Sequence, residues 1–92
     1  MLSDVLHQPI RTQVMALLVN VEEADFKTIK TQLSLTDGHM TTHMKVLVSN
    51  NYVVVEKLFV DNKPKTIYKI TTEGKQAFLD YVQALRNLIE KG

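Results

Sequence analysis

Residues 25–51 read DFKTIKTQLSLTDGHMTTHMKVLVSNN, and this stretch decides the fold. Phe26, Ile29 and Leu33 recur at spacings of 3 and 4, which places them on one face of a short helix. Asp25, just ahead of them, offers a side-chain oxygen to a free N–H of the first turn. Ser34-Leu35-Thr36 leaves room only for a tight connector. Thr36 can cap a further helix, and Asp37 in its first turn suits the positive end of the helix dipole. Met40, Met44, Leu47 and Val48 share one face of that helix. Asn50-Asn51 ends it, since asparagine tolerates the left-handed conformation of a helix C-terminus. A short helix, a tight turn and a capped helix make a helix-turn-helix.

Upstream, Pro9 fits a first helical turn, where its missing N–H has no partner to lose. Ile10, Val14, Leu17, Leu18 and Val21 then follow at spacings of 4, 3, 1 and 3. This predicts a helix ending around Asn20, preceded by a leading turn that carries Leu2, Val5 and Leu6. Downstream the period changes. Residues 52–60, YVVVEKLFV, are rich in β-branched and aromatic side chains. Asp61-Asn62-Lys63-Pro64-Lys65 is a turn cluster, and Thr66 to Ile70 alternates polar and apolar. The prediction is a β-hairpin with a basic tip. Thr71 caps a last helix, with Glu73 in its first turn and Phe78, Val82, Leu85 and Ile89 at spacings of 4, 3 and 4. Some 18 residues of helix would extend about 27 Å.

Ninety-two residues fit one core, so a single domain over 1–92 is expected, with no linker or repeat dividing it. With no cysteine there is no disulfide framework, thiolate metal site or cysteine nucleophile. The apolar runs at 15–19 and 52–55 are too short to span a bilayer. Met1-Leu2-Ser3-Asp4 lacks a basic n-region, so secretion and membrane association are not expected and the cytoplasm is the expected location. There is no glycine-rich phosphate loop and no nucleophile elbow, and one small core leaves little room for a deep pocket. No enzyme reading and no cofactor follow. The formal charge is only +1, but it is uneven: residues 37–69 carry five lysines against three carboxylates, and the flanking thirds are negative or neutral.

The stretches HQPIRTQVMALL, ADFKTIKTQLSLTDGHMTTHMKVLVSNNYVVVEK, DNKPKTIYKIT and TTEGKQAFLDYVQAL, in that order, resemble the winged-helix transcriptional regulators of the MarR/ArsR type over residues 7–90. The implied fold is α+β: a three-helix core with a β-hairpin wing and an additional C-terminal helix, about 72–91. The implied function is sequence-specific binding of double-stranded DNA by a homodimer, more often a repressor, under an unidentified small-molecule effector. The resemblance makes the helix after Thr36 the recognition helix. Thr36, Asp37, Gly38, His39, Thr41, Thr42 and Lys45 would face DNA from it. Asn62, Lys63, Lys65 and Thr66 would meet the backbone from the wing. One departure matters: Arg11 and Arg86 are the only arginines, so neither element can make the bidentate arginine–guanine contact, and more weight falls on threonine contacts and DNA shape.

Each of these residues has a plainer reading. The threonines can be ordinary exposed helix positions, and the lysines a solvated turn. His39 and His43 stand one helical turn apart, a spacing that can hold zinc. However, Met40 replaces the glutamate of the metalloprotease pattern and Asp37 is the sole nearby carboxylate, so no metal is expected. His43 is expected to pack near the wing. Phe78, Tyr81, Val82, Leu85, Leu88 and Ile89 form an apolar stripe on the last helix. It can pack on the first helix, or form a dimer contact together with Leu2, Val5 and Leu6 of the N-terminus. The rival to DNA binding is a winged helix that docks another protein.

Overall fold

Each helix begins where a side-chain oxygen meets a free backbone N–H. The Gln8 amide oxygen accepts from Arg11 N at 2.8 Å and opens α1, Pro9–Val21. Asp25 accepts from Thr28 N at 2.7 Å and opens α2, Phe26–Leu33. Thr36 accepts from His39 N at 3.1 Å and opens α3, Asp37–Ser49. Thr71 accepts from Gly74 N at 2.8 Å and opens α4, Thr72–Lys91. The computed structural model describes residues 2–91.

The helix ends are just as local. Ser34, with φ 53° and ψ 48°, takes the left-handed conformation. The Leu35 N–H reaches the Lys30 carbonyl and the Ser34 N–H reaches Thr31, which is the Schellman closure. At the end of α3 it is Asn51 that turns left-handed (φ 60°), while Asn50 stays at φ −89°. Tyr52 N then bonds to Leu47 O, and Asn51 N to Val48 O. Two such closures within 18 residues fix the angle of α3 to α2 and the exit of the chain into the sheet.

The sheet holds β1 (Glu23–Asp25), β2 (Val53–Val60) and β3 (Lys63–Ile70), antiparallel in the order β1-β3-β2. The hairpin turn is narrower than the turn cluster predicted. Only Asp61 and Asn62 form it, with φ 52° and 63°, the positive pair that a two-residue type I′ connection requires. Lys63, Pro64 and Lys65 are already strand. Pro64 is tolerated because it pairs with Phe59, one step from the turn-closing pair Val60–Lys63, so its missing N–H falls on the side away from β2. β1 stops short of it, pairing only with residues 67–69. A three-residue strand carries no periodicity, and β1 is an element the sequence reading did not contain.

The core joins Leu6, Val14, Met15 and Leu18 to Ile29 of α2, Met40, Met44 and Leu47 of α3, Val53 and Tyr68 of the sheet, and Phe78 and Tyr81 of α4. The leading turn is pinned to α1: Arg11 Nε donates to Val5 O, and Thr12 Oγ1 donates to Leu6 O. α4 docks through a knot at its N-terminus. Thr71 Oγ1 donates to Asn51 O at 2.7 Å, and Thr71 N donates to Tyr52 O at 3.0 Å. Gly74 is buried one turn on, and a Cβ there would overlap the Tyr52 carbonyl oxygen. That oxygen belongs to the backbone and cannot swing away, so glycine is required here for close approach. At Gly38 a Cβ would meet only Thr36 Oγ1, at 4.0 Å.

Gly74→Ala should therefore destabilise the protein by about 1–3 kcal/mol, as overpacking does. Each kcal/mol lowers Tm by about 4–8 °C in a domain of this size. Gly38→Ala, at an open helical position, should leave stability unchanged or raise it by up to about 1 kcal/mol. Thermal unfolding by circular dichroism at one fixed protein concentration separates the two; equal Tm values would refute the packing argument.

Candidate nucleic-acid interface

α3 buries Met40, Met44 and Leu47 and turns its other face to solvent. Asp37, Gly38, His39, Thr41, Thr42 and Lys45 are all exposed, as is Thr36 at the cap. The hydroxyl of Thr36 accepts from His39 N and so holds the helix start, while its own O–H remains a donor. Asp37 is engaged too: its carboxylate lies 2.6 Å from Lys30 Nζ of α2, a link across the helix-turn-helix. Thr41, Thr42, His39 and Lys45 are the outward side chains with no partner among the described residues, and Thr36 and Gly38 are exposed beside them.

The hairpin lies beside this helix with one face toward it. Odd residues of β2 and even residues of β3 share that face, in the cross-strand pairs Val55–Tyr68, Lys57–Thr66 and Phe59–Pro64. Between α3 and the hairpin runs a groove of about 380 Å³ lined by Phe26, Met44, Val48, Val55 and Tyr68, with Thr41, Lys45, Lys57 and Thr66 also on its walls. Burial pushes the Tyr68 phenol above its ordinary range, so a neutral ring lies on the floor. Among the described residues neither Lys45, Lys57 nor Lys63 forms an ion pair. Lys57 was missed by the sequence reading. It lies in the middle of a strand, and only the register reveals that it faces α3.

Lys65 differs from its neighbours. Its ammonium is 3.3 Å from an Asp25 carboxylate oxygen, tying the wing to the cap of α2. The Asp25 carboxyl is held below its ordinary value, first by the Thr28 backbone N–H, then by the Thr28 side chain, and less by Lys65. Asn62 sits in the turn, exposed with Lys63, and Thr66 is half-buried.

His43 does not pack near the wing. It sits against α1, where Arg11 Nη1 donates to its Nδ1 at 3.1 Å. That bond needs a neutral imidazole at Nδ1. Desolvation by burial, then the Arg11 and His39 charges, lower its pKa from the usual value. His39 is exposed, with its ring centre 6.4 Å from that of His43. No cluster of three or more potential metal ligands occurs among the described residues.

The apolar stripe on α4 divides. Phe78 and Tyr81 are buried in the protomer's own core, and Leu6 is buried there with them. The Tyr81 hydroxyl also shares a 2.9 Å hydrogen bond with His7 Nδ1. These three side chains are satisfied within one chain and offer no surface to another. Leu2, Val5, Val82 and Leu85 are partly buried around them. Leu88 and Ile89 remain 59% and 79% exposed, and Leu79, absent from the predicted stripe, is 57% exposed. Residues 86–91 are exposed without interruption, so the last turns of α4 leave the body.

Residues 10–89 match the family described as winged helix DNA-binding domain. An uncharacterised protein of Methanocaldococcus jannaschii is 33% identical over 84 residues, 91% of each chain. A transcriptional regulator homologue from Pyrococcus horikoshii superposes with a TM-score of 0.92 at 30% identity, over 97% of this chain and 88% of that one. NadR, solved in complex with 4-hydroxyphenylacetate, superposes with a TM-score of 0.71 at 20% identity, over 95% of this chain and 66% of its own, a likeness of fold alone.

The Arg11–His43 contact gives a pH signature. A histidine whose folded pKa is depressed contributes stability that is complete above its unfolded value, about 6.5, and is lost as pH falls below it. Between pH 7.5 and 5.5, wild-type Tm should fall further than that of His43→Gln, in which position 43 no longer titrates. Parallel pH profiles for the two proteins would show that the contact has no such effect.

Proposed function

The chain belongs to the winged-helix DNA-binding domain family, and from that premise we propose that it is a transcriptional regulator that binds a specific duplex sequence as a homodimer. The observation that carries the reading is the groove between α3 and the wing, with Lys45 on one wall, Lys57 on the other, and no carboxylate of the described residues paired to either. α3 enters the major groove, which is wide enough for a helix, and Thr41, Thr42 and His39 read base edges or hold phosphates. The DNA backbone beside that groove runs between the two lysines, and Lys63 and Asn62 reach the next stretch from the wing tip. With no arginine on either element, readout rests on hydroxyl contacts and on the ease with which the duplex deforms.

The projecting end of α4 is the proposed dimer contact, through Leu88 and Ile89 with Leu79, Val82 and Leu85 adjoining. A two-fold pair would set the recognition helices about 34 Å apart, one DNA turn, on an inverted repeat. Repression, achieved by occupying the operator, needs only this duplex binding. An effector would act by changing the spacing of the two helices, and NadR, which holds 4-hydroxyphenylacetate, shows that the shared fold occurs in a ligand-binding protein. The MarR/ArsR-like placement and a cytoplasmic location belong to the same proposal. No helix among the described residues is long and apolar enough to cross a membrane.

Two measurements test this. Duplex binding titrated from about 50 to 200 mM salt should give a steep negative log–log slope. Lys45→Ala and Lys57→Ala should each make it shallower by about 0.9 and weaken all duplexes alike. Lys65→Ala, whose charge is shared with Asp25, should have the smaller effect. A flat slope for the wild type would favour the protein-docking alternative. Separately, Leu88→Asp combined with Ile89→Asp should convert the dimer to monomer in sedimentation equilibrium while far-UV circular dichroism stays unchanged. A wild type that sediments as a monomer would refute the homodimer.

A further inference from the structure

Phe59 is 80% exposed, more than any other large apolar side chain of the described residues. It stands next to the wing tip, opposite Pro64, on the sheet face turned toward α3. Two residues back on the same face is Lys57, and across the turn, paired with Val60 on the opposite face, is Lys63, neither ion-paired among the described residues. Asp61 in the turn is the nearby carboxylate at the tip, and Glu56 lies on the other face, held by Lys69 at 3.2 Å. An aromatic ring in water on the same face as Lys57, with Lys63 at the tip behind it, suits a partner that is anionic outside and apolar within. Duplex DNA, with phosphates outside and stacked bases inside, is such a partner.

We propose that Phe59, braced by Pro64, is an apolar wedge that enters the minor groove and partly unstacks a base step. The inference rests on the DNA-binding reading above and adds to it a point of deformation. Apolar wedges of this kind, phenylalanine and proline among them, kink DNA at flexible pyrimidine–purine steps. The dimensions agree. Phe59 lies about 6.6 Å beyond Lys57 along the strand, so a phosphate held by Lys57 leaves the ring enough reach to pass the backbone into the adjoining groove. The minor groove is about 6 Å wide, which admits side chains of the hairpin tip and not the two-stranded ribbon behind them. The wedge supplies sequence preference without arginine, because the cost of unstacking depends on the step being opened.

The chain has no tryptophan, so Phe59→Trp places a unique reporter at the wing tip. The probes are 30-bp duplexes, selected from a random pool by the wild-type protein. On saturation the tryptophan emission should be quenched by base stacking, with affinity kept within about threefold of wild type. Phe59→Ala, which removes an exposed side chain and should keep its circular dichroism, should bind about tenfold more weakly with an unchanged salt slope. Lys57→Ala changes that slope, so the two contributions are distinguishable. Unquenched emission at saturation, or wild-type affinity in Phe59→Ala, would overturn the wedge and leave DNA binding standing. Loss of the dimer in Phe59→Ala would assign the ring to a contact between copies and overturn it too. If the wild type selects no duplex, the wedge and the DNA-binding reading fall together.

Discussion

The close approach of α4 to the corner between α3 and β2 is the constraint at which three elements of the fold meet. Thr71 and Gly74 bring the last helix onto the carbonyls of Asn51 and Tyr52, with no side chain between helix and backbone. That corner is also where the Schellman closure of α3 hands the chain to the sheet. One small residue therefore couples three elements: the helix that carries the candidate contacts, the strand that becomes the wing, and the helix that projects from the body. Packed interiors transmit such displacements because they have little free volume in which to absorb them.

The helices were legible because their signals are local. Caps at Asp25, Thr36 and Thr71 and the asparagines at 50–51 are chemistry read within a few residues, and the structure places each where the spacing put it. Met40, Met44 and Leu47 were identifiable as the inner face of α3 by period alone. What escaped was non-local. β1 exists only because β3 offers it an edge. Lys57 faces α3 only because the two-residue turn sets the register. His43 could not be placed against Arg11 without knowing where α1 runs. The α4 stripe was found, but period cannot tell which apolar residues are covered within one chain. The leading turn and His7 close over Tyr81, leaving the distal turns bare.

The charge of the molecule is organised by pairing more than by sum. Lys30, Lys65, Lys69 and Lys75 each have a carboxylate within 3.3 Å, on Asp37, Asp25, Glu56 and Glu22 in turn. Such exposed pairs add little stability individually. Their larger effect is on which cations are left over: among the described residues Lys45, Lys57 and Lys63, on α3 and the wing, have no carboxylate partner.

The wing is two eight-residue strands closed by the shortest connection a hairpin allows. Its reach can therefore change only in steps. Lengthening both strands by one residue extends the arm by about 3.3 Å but turns the face at the new tip over, exchanging which side chains look toward α3. Lengthening both by two restores the face and extends it by about 6.6 Å. A lineage that adjusts this arm to a different target surface must take the even step or rebuild the whole face, so arm lengths among its descendants should be discrete rather than graded.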